Sequence, residues 1–237
     1  MNVAEISAIL EQLEAGVITW EQALVQVTAL PNAWQTKEWK QRREALIGTA
    51  CAVCKTTEGP FVLQHLMHCD SFKELCQTVK EEFRQQLRPT VLDKVTTADV
   101  AAHIGPGEKR LACPTCGSIS LRERKTMYPP YLCQFKGCPQ PLTDKPVSVR
   151  YYLKQKTTDR LEAMSIALPF LQSVAMVAEL RKHDYAIQHE ATLRSLRQSL
   201  EYRSLKHTAT YCKVCAFKED LPVIERKAQE KAWKGLR

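Results

Sequence analysis

With 237 residues and 44% apolar side chains, the chain can build one large or two small cores. Its net charge is +8 and it carries ten cysteines. No apolar run reads as a membrane span, and the opening residues MNVAEISAILEQLEAG hold no basic n-region and no cleavage signal. A secreted disulfide scaffold is therefore not expected. A reducing, cytoplasmic setting is, in which CxxC pairs are metal ligands or redox centres.

The charge is uneven. Residues 1–34 hold four Glu and no Lys or Arg, which leaves +12 for the rest. A basic body points to an anionic partner, nucleic acid first and DNA before RNA; ordinary solvation of a basic protein is the alternative.

Apolar residues at spacings of three and four predict a helix over 3–16, ended at Gly16. Thr19 caps a second over 20–30, stopped by Pro31. This acidic hairpin docks on the body or on a protein partner. Thr36 opens a third helix, and Gly48 closes it. Cys51-Ala-Val-Cys54 then reads as a knuckle leading into the strand FVLQHL (61–66). Residues 71–87 are helical again, and IGPGEKR (104–110) is a loop. Cys69 and Cys76, seven apart, are expected on one face of that helix as small core residues.

Residues 111–138 form a cysteine module with two short strands, and VSVRYYL (147–153) is a strand. A long helical region covers 157–205. Leu161, Met164, Leu168, Leu171, Ala175 and Ala178 supply one apolar stripe, with a kink or break expected at Pro169. A turn near Lys182-His183-Asp184 gives an antiparallel helix pair, whose second face is Ile187, Ala191, Leu193, Leu196 and Leu200. Cys212-Lys-Val-Cys215 opens a basic closing helix, interrupted early by Pro222.

The strongest chemical signal is Cys113-Pro-Thr-Cys116 followed by Cys133 and Cys138. Two residues between cysteines let a tight turn aim both thiolates at one tetrahedral centre, and this is zinc-ribbon spacing. A redox CxxC is the competitor, but it needs a single pair in a βαβ setting. Between the ligands, Arg122, Arg124 and Lys125, with Tyr128 and Tyr131, are candidates for phosphate contact and base stacking, or for a solvated turn with two packed tyrosines. Two pairs remain, Cys51/Cys54 and Cys212/Cys215. Structural zinc wants four ligands, so the two pairs share one ion, or each recruits neighbours such as His65, His68 and Cys69. His207, five residues before Cys212, is a further neighbour to place.

Trp39-Lys-Gln-Arg-Arg-Glu-Ala-Leu-Ile-Gly48, then Cys51-x2-Cys54 and Val62-Leu-Gln-His65, with Cys212-Lys-Val-Cys215-Ala-Phe-Lys-Glu-Asp220 as a closing helix, resembles the zinc-containing HNH endonucleases. The likeness covers about 50 residues, at 39–69 and 211–225. It implies a treble-clef fold in which His65 is the general base for phosphodiester hydrolysis, Asp220 a ligand, and a divalent ion (Mg, Mn or Ni) the stabiliser of the leaving oxygen. The chain departs from that family: its paired histidines are Gln64-His65 here, and Ala216 stands where a His commonly follows the second CxxC.

The resulting expectation is a helix-rich α+β protein: a split treble-clef module with an inserted zinc ribbon and a long helical pair, holding two structural zinc ions. The segments run 1–34 (acidic hairpin), 35–70 (first knuckle half), 71–110 (helical linker), 111–153 (ribbon), 154–206 (helical pair) and 207–237 (second CxxC and basic helix). Three functions compete: an HNH-type DNA endonuclease, a non-catalytic nucleic-acid module, and a protein–protein adaptor. No membrane partner is expected.

Overall fold

The structure is a computed structural model that describes residues 3–31, 36–138, 141–142 and 144–235, with backbone alone at 223, 226, 227 and 229–235. In chain order the elements are α1 (Val3–Glu14), α2 (Trp20–Ala29), α3 (Lys37–Leu46), β1 (Phe61–His65), α4 (Phe72–Lys94), α5 (Thr97–Ile104), β2 (Glu108–Ala112), β3 (Leu121–Glu123), β4 (Tyr131–Cys133), β5 (Val147–Tyr151), α6 (Arg160–Lys182), α7 (Asp184–Ser204), β6 (Thr208–Cys212) and α8 (Lys213–Gly235). The described residues thus form a helix-rich α+β protein with three two-stranded antiparallel sheets, β1–β6, β2–β5 and β3–β4. The chain divides into two compact units: residues 1–82 with 183–237, and residues 83–182.

In the first unit, α1 and α2 bury their apolar faces against α7. Ile6, Ile9, Leu13 and Ala23 form one cluster with Leu193 and Leu196. The N-terminal hairpin therefore docks on its own body. Its helices begin where short polar side chains meet orphan amides: Thr19 accepts from the Gln22 amide while the Gln22 side chain accepts from the Thr19 amide, a reciprocal capping box. Thr36 accepts from the Trp39 amide at the start of α3. Along α7, Arg194 makes a two-pronged contact with Glu82, both N···O distances 2.7 Å, and also reaches Glu190. Arg197 reaches Glu14 at 2.7 Å. The sheet joins the extremes of this unit, with Phe61 opposite Cys212 and His65 opposite Thr208.

In the second unit, α5 and α6 pack through Val100, Ile104, Ala163 and Ala167, with Tyr152 closing the cluster. The small Ala163 and Ala167 permit the close approach. A second capping box, Thr96 with Asp99, starts α5.

Several expectations fail here. The loop expected at 104–110 becomes a strand at Glu108, because β2 carries its charges on exposed positions and buries only Ala112. The stripe expected on α6 is only in part its inner face: Met164 and Leu171 pack on the α5–α6 cluster. Leu161 and Leu168 are exposed, while Ala163, Ala167, Met176 and Leu180 are buried. Pro169 does not break α6, nor Pro222 α8. Pro169 and Ser165, four residues earlier, are both exposed, so water can meet the carbonyl that the proline leaves unbonded. Cys69 precedes α4 rather than lying on it and is exposed, so it is no core residue. By length and composition alone α6 also qualifies as a membrane-crossing helix, against the expectation that no apolar run reads as a span.

Leu13 is fully buried between α1 and α7. Leu13→Ala should destabilise the zinc-loaded protein by about 2–5 kcal/mol in urea unfolding, because the cavity cannot collapse against helices held elsewhere.

Candidate metal centres

The two metal-binding candidates are built from the same turn. In the first, the Cys51 amide donates to the Thr56 carbonyl at 2.9 Å and the Lys55 amide to the Cys51 carbonyl at 3.0 Å. In the second, the Cys113 amide donates to the Ser118 carbonyl and the Gly117 amide to the Cys113 carbonyl, both at 2.9 Å. The residue after the second cysteine turns left-handed in each, with φ of 62° at Lys55 and 71° at Gly117. Gly117 adopts this without a Cβ penalty. Lys55 does carry one, and its Nζ returns to the Ala52 carbonyl at 2.8 Å across the turn.

Each knuckle meets a second pair of cysteines. Cys212 ends β6 and Cys215 lies in the first turn of α8, and the β1–β6 ladder brings them to the first knuckle. The Ala52 amide donates to the Thr210 carbonyl at 2.8 Å, stitching knuckle to strand. The Sγ atoms of Cys51, Cys54, Cys212 and Cys215 all lie within 4.8 Å of one another, as do those of Cys113, Cys116, Cys133 and Cys138. In the second centre the β3–β4 hairpin delivers Cys133, and the buried Leu142 packs on the cluster.

Sulfur separations are 3.7 Å between Cys54 and Cys212, and 3.6 Å for both Cys113–Cys138 and Cys116–Cys133. A disulfide would need ~2.05 Å. A tetrahedron of thiolates about 2.3 Å from zinc has edges of ~3.8 Å. Both tetrads could thus each hold a zinc ion with little adjustment. His65, His68, Cys69 and His207 join neither cluster; His207 instead pairs with Glu201 at 3.1 Å. The two distant CxxC pairs converge on one centre.

The electrostatics favour a cation. Burial opposes ionisation of Cys51, but the amides of Cys212, Cys54 and Val53 outweigh it and bring the thiol down to about 6. Cys113 is likewise about 6, burial being outweighed by the amides of Cys116 and Thr115. Their partners go the other way. Cys215 is pushed up to about 12 by its contact with Cys212 and by burial, and Cys138 is pushed up by burial and the neighbouring thiols. One negative charge in each cluster suppresses the next, and a divalent ion removes that conflict.

The remaining candidates fall as follows. Asp220 Oδ1 accepts from Gln64 Nε2 at 2.7 Å. The His65 ring stacks on Tyr202 with centroids 3.7 Å apart, and lies nearly parallel to Trp39 at 6.1 Å. Burial first, and the charge of Arg43 second, hold its imidazole below its ordinary pKa. Ala216 is buried against Cys51 and Tyr211. Arg122 and Lys125 are exposed, whereas Arg124 is half-buried and donates to the Pro129 carbonyl. Tyr128 is 89% exposed. The side chains of Arg226, Lys227, Lys231 and Lys234, and all of Arg237, lie outside the described residues. Trp39 and Tyr202, which frame His65, come from α3 and α7; no local spacing links them to it. Nothing in the sequence but its position after Cys54 marks Lys55 as the left-handed residue of the turn.

Comparison with family models, with curated proteins and with solved structures found no match.

The metal centres lead to a direct expectation. Purified protein should carry two zinc ions per chain by elemental analysis, and Cys113→Ser should carry one. Acidification should release the metal, since protons compete for the thiolates and affinity falls as pH falls. Separately, an NMR titration of His65 should place its midpoint below that of an exposed histidine. Arg43→Ala should raise it, since only the charge contribution is removed.

Proposed function

We propose that the chain is a zinc-stabilised nucleic-acid-binding protein. In this reading β1, β6 and α8 form a treble-clef module around the first tetrad, and the zinc ribbon around the second is the binding element. The carrying observation is the ribbon's surface. Residues 111–153 contain six Lys and Arg against two Asp and Glu, half of the net charge, and Lys109 stands just before them. Among the described residues Lys109, Arg122, Lys125 and Lys136 are exposed and form no ion pair, and Tyr128 stands 89% exposed among them. Free cations neutralise phosphates, and an exposed ring offers a face to an unpaired base. Arg124, tied to the Pro129 carbonyl, orders the tip instead of reaching outward.

Binding without cleavage is the reading favoured for the HNH-like half. Asp220 is engaged by Gln64, and His65 is stacked on Tyr202 with no carboxylate or second imidazole hydrogen-bonded to it among the described residues. A general base needs an oriented partner and access to water. Segment boundaries, the DNA preference and a cytoplasmic location remain parts of this proposal.

The test is fluorescence anisotropy with labelled single-stranded DNA, single-stranded RNA and duplex DNA, using zinc-loaded protein. Tyr128→Ala should weaken single-strand binding about tenfold. The pair Arg122→Ala/Lys125→Ala should flatten the log–log salt dependence by about 1.4. Binding that ignores these ribbon substitutions, or no binding at low salt, would sink the proposal. Supercoiled-plasmid nicking with Mg²⁺, Mn²⁺ or Ni²⁺, lost in a folded His65→Ala protein, would replace it with hydrolysis.

A further inference from the structure

The helix α6 has two apolar faces, and only one is used within its unit. Ala163, Ala167, Met176 and Leu180 are buried. Ile166, Phe170, Val174 and Val177 follow one another at spacings of four, four and three, and each is 45–56% exposed. His103 touches Phe170 at 5.5 Å between ring centroids and still leaves most of that ring open. Large apolar side chains repeated along one side of a helix mark an interaction surface more often than chance exposure.

We infer that this face pairs with the same face of a second copy of the chain, antiparallel and about a two-fold axis. Reversed about a midpoint between Leu171 and Gln172, the face meets itself in register, with Val174 falling opposite the second copy's Pro169. That axis sets Ile166 opposite the second copy's Val177. It sets the large Phe170 opposite the small Ser173, so a ring fills the space above a hydroxymethyl. The same register sets Glu162 opposite the second copy's Arg181, and symmetry makes that pair twice. Glu162 and Arg181 are both exposed, and Arg181 forms no ion pair within the chain among the described residues. Glu162 accepts from Thr157 through Oε2, which leaves its other oxygen for a guanidinium. A two-fold contact requires one patch to match its own reverse, and apolar centre, size match and end charges all do so here.

A parallel pair would set Glu162 beside Glu162 and Arg181 beside Arg181, which like charges disfavour. A bilayer would have to pull Ala163 and Ala167 from their packing on α5 and leave Gln172 and Ser173 in hydrocarbon. One helix pair is a small interface, so the association is micromolar.

Sedimentation equilibrium on the zinc-loaded full chain, over about 2–200 µM, tests this. The wild type should dimerise, and Phe170→Glu should raise the dimer dissociation constant at least about tenfold with zinc content and circular dichroism unchanged. Glu162→Arg and Arg181→Glu should each weaken the dimer about threefold. The two together should restore it, because each new Arg then meets a new Glu. This rescue keeps the test decisive if Phe170→Glu misfolds. A monomer throughout, a dimer indifferent to these changes, or charge reversals that add instead of cancelling would overturn the inference. Flotation of an otherwise monomeric wild type with phosphatidylcholine vesicles would assign the face to lipid.

Discussion

The β1–β6 half of the first unit depends on four thiols from two places 158 residues apart meeting at one point. Bringing such distant segments together costs loop-closure entropy before any contact is made. The two-stranded β1–β6 ladder alone is too small to offset that cost, since an isolated pair of strands is marginal in water. Metal ligation by Cys51, Cys54, Cys212 and Cys215 would couple a large binding free energy to the closure. The ladder then sets direction: by placing Phe61 opposite Cys212, it delivers the start of α8 to the knuckle and no other part of the helix.

The second unit meets the same demand with local means. Its four cysteines fall within 26 residues, and its knuckle has a glycine where the first has a lysine. Around each cluster the buried apolar packing is small: Tyr211 and Ala216 on one, with Phe61, Val62 and Ala209 half-buried beside them, and Leu142 on the other, with Leu121 and Tyr131. The larger apolar clusters lie elsewhere, under α1, α2 and α7 and between α5 and α6. Cysteine chemistry thus holds together the regions that lack side-chain volume. That leaves the ribbon free to present cations and an open tyrosine without needing them for packing.

Legibility from sequence followed the range of the physical signal. The knuckles were readable because a CxxC pair encodes its own turn, and helices α2 and α3 because Thr19 and Thr36 announce them. Ligand count pointed to the convergence of Cys51/Cys54 with Cys212/Cys215 but left local recruitment of His65, His68 or Cys69 open; the β1–β6 pairing that decides between them is a long-range contact. The inner face of α6 was readable only in part. With Leu161, Ala163, Ile166, Ala167, Leu168 and Phe170 crowded around the helix, several stripes satisfy a 3.6-residue period. The choice fell to alanines, whose small size α5 exploits and a hydrophobicity pattern undervalues. The surroundings of His65 were equally hidden, because Trp39 and Arg43 reach it from α3 and Tyr202 from the distant α7, with no local periodicity to link them.

The topology also imposes an order of events as the chain is made. Synthesis proceeds from the N-terminus, and segments fold as their partners emerge. The ribbon cysteines appear almost together, so that unit can take its metal while later residues are still being added. Cys51 and Cys54 emerge earlier but must wait, as uncommitted thiols, for Cys212 and Cys215 to follow. Completion of the first unit is therefore a later step than completion of the ribbon, and a product truncated before Cys212 would carry a ribbon with all four of its cysteines beside an open, oxidation-prone half-site.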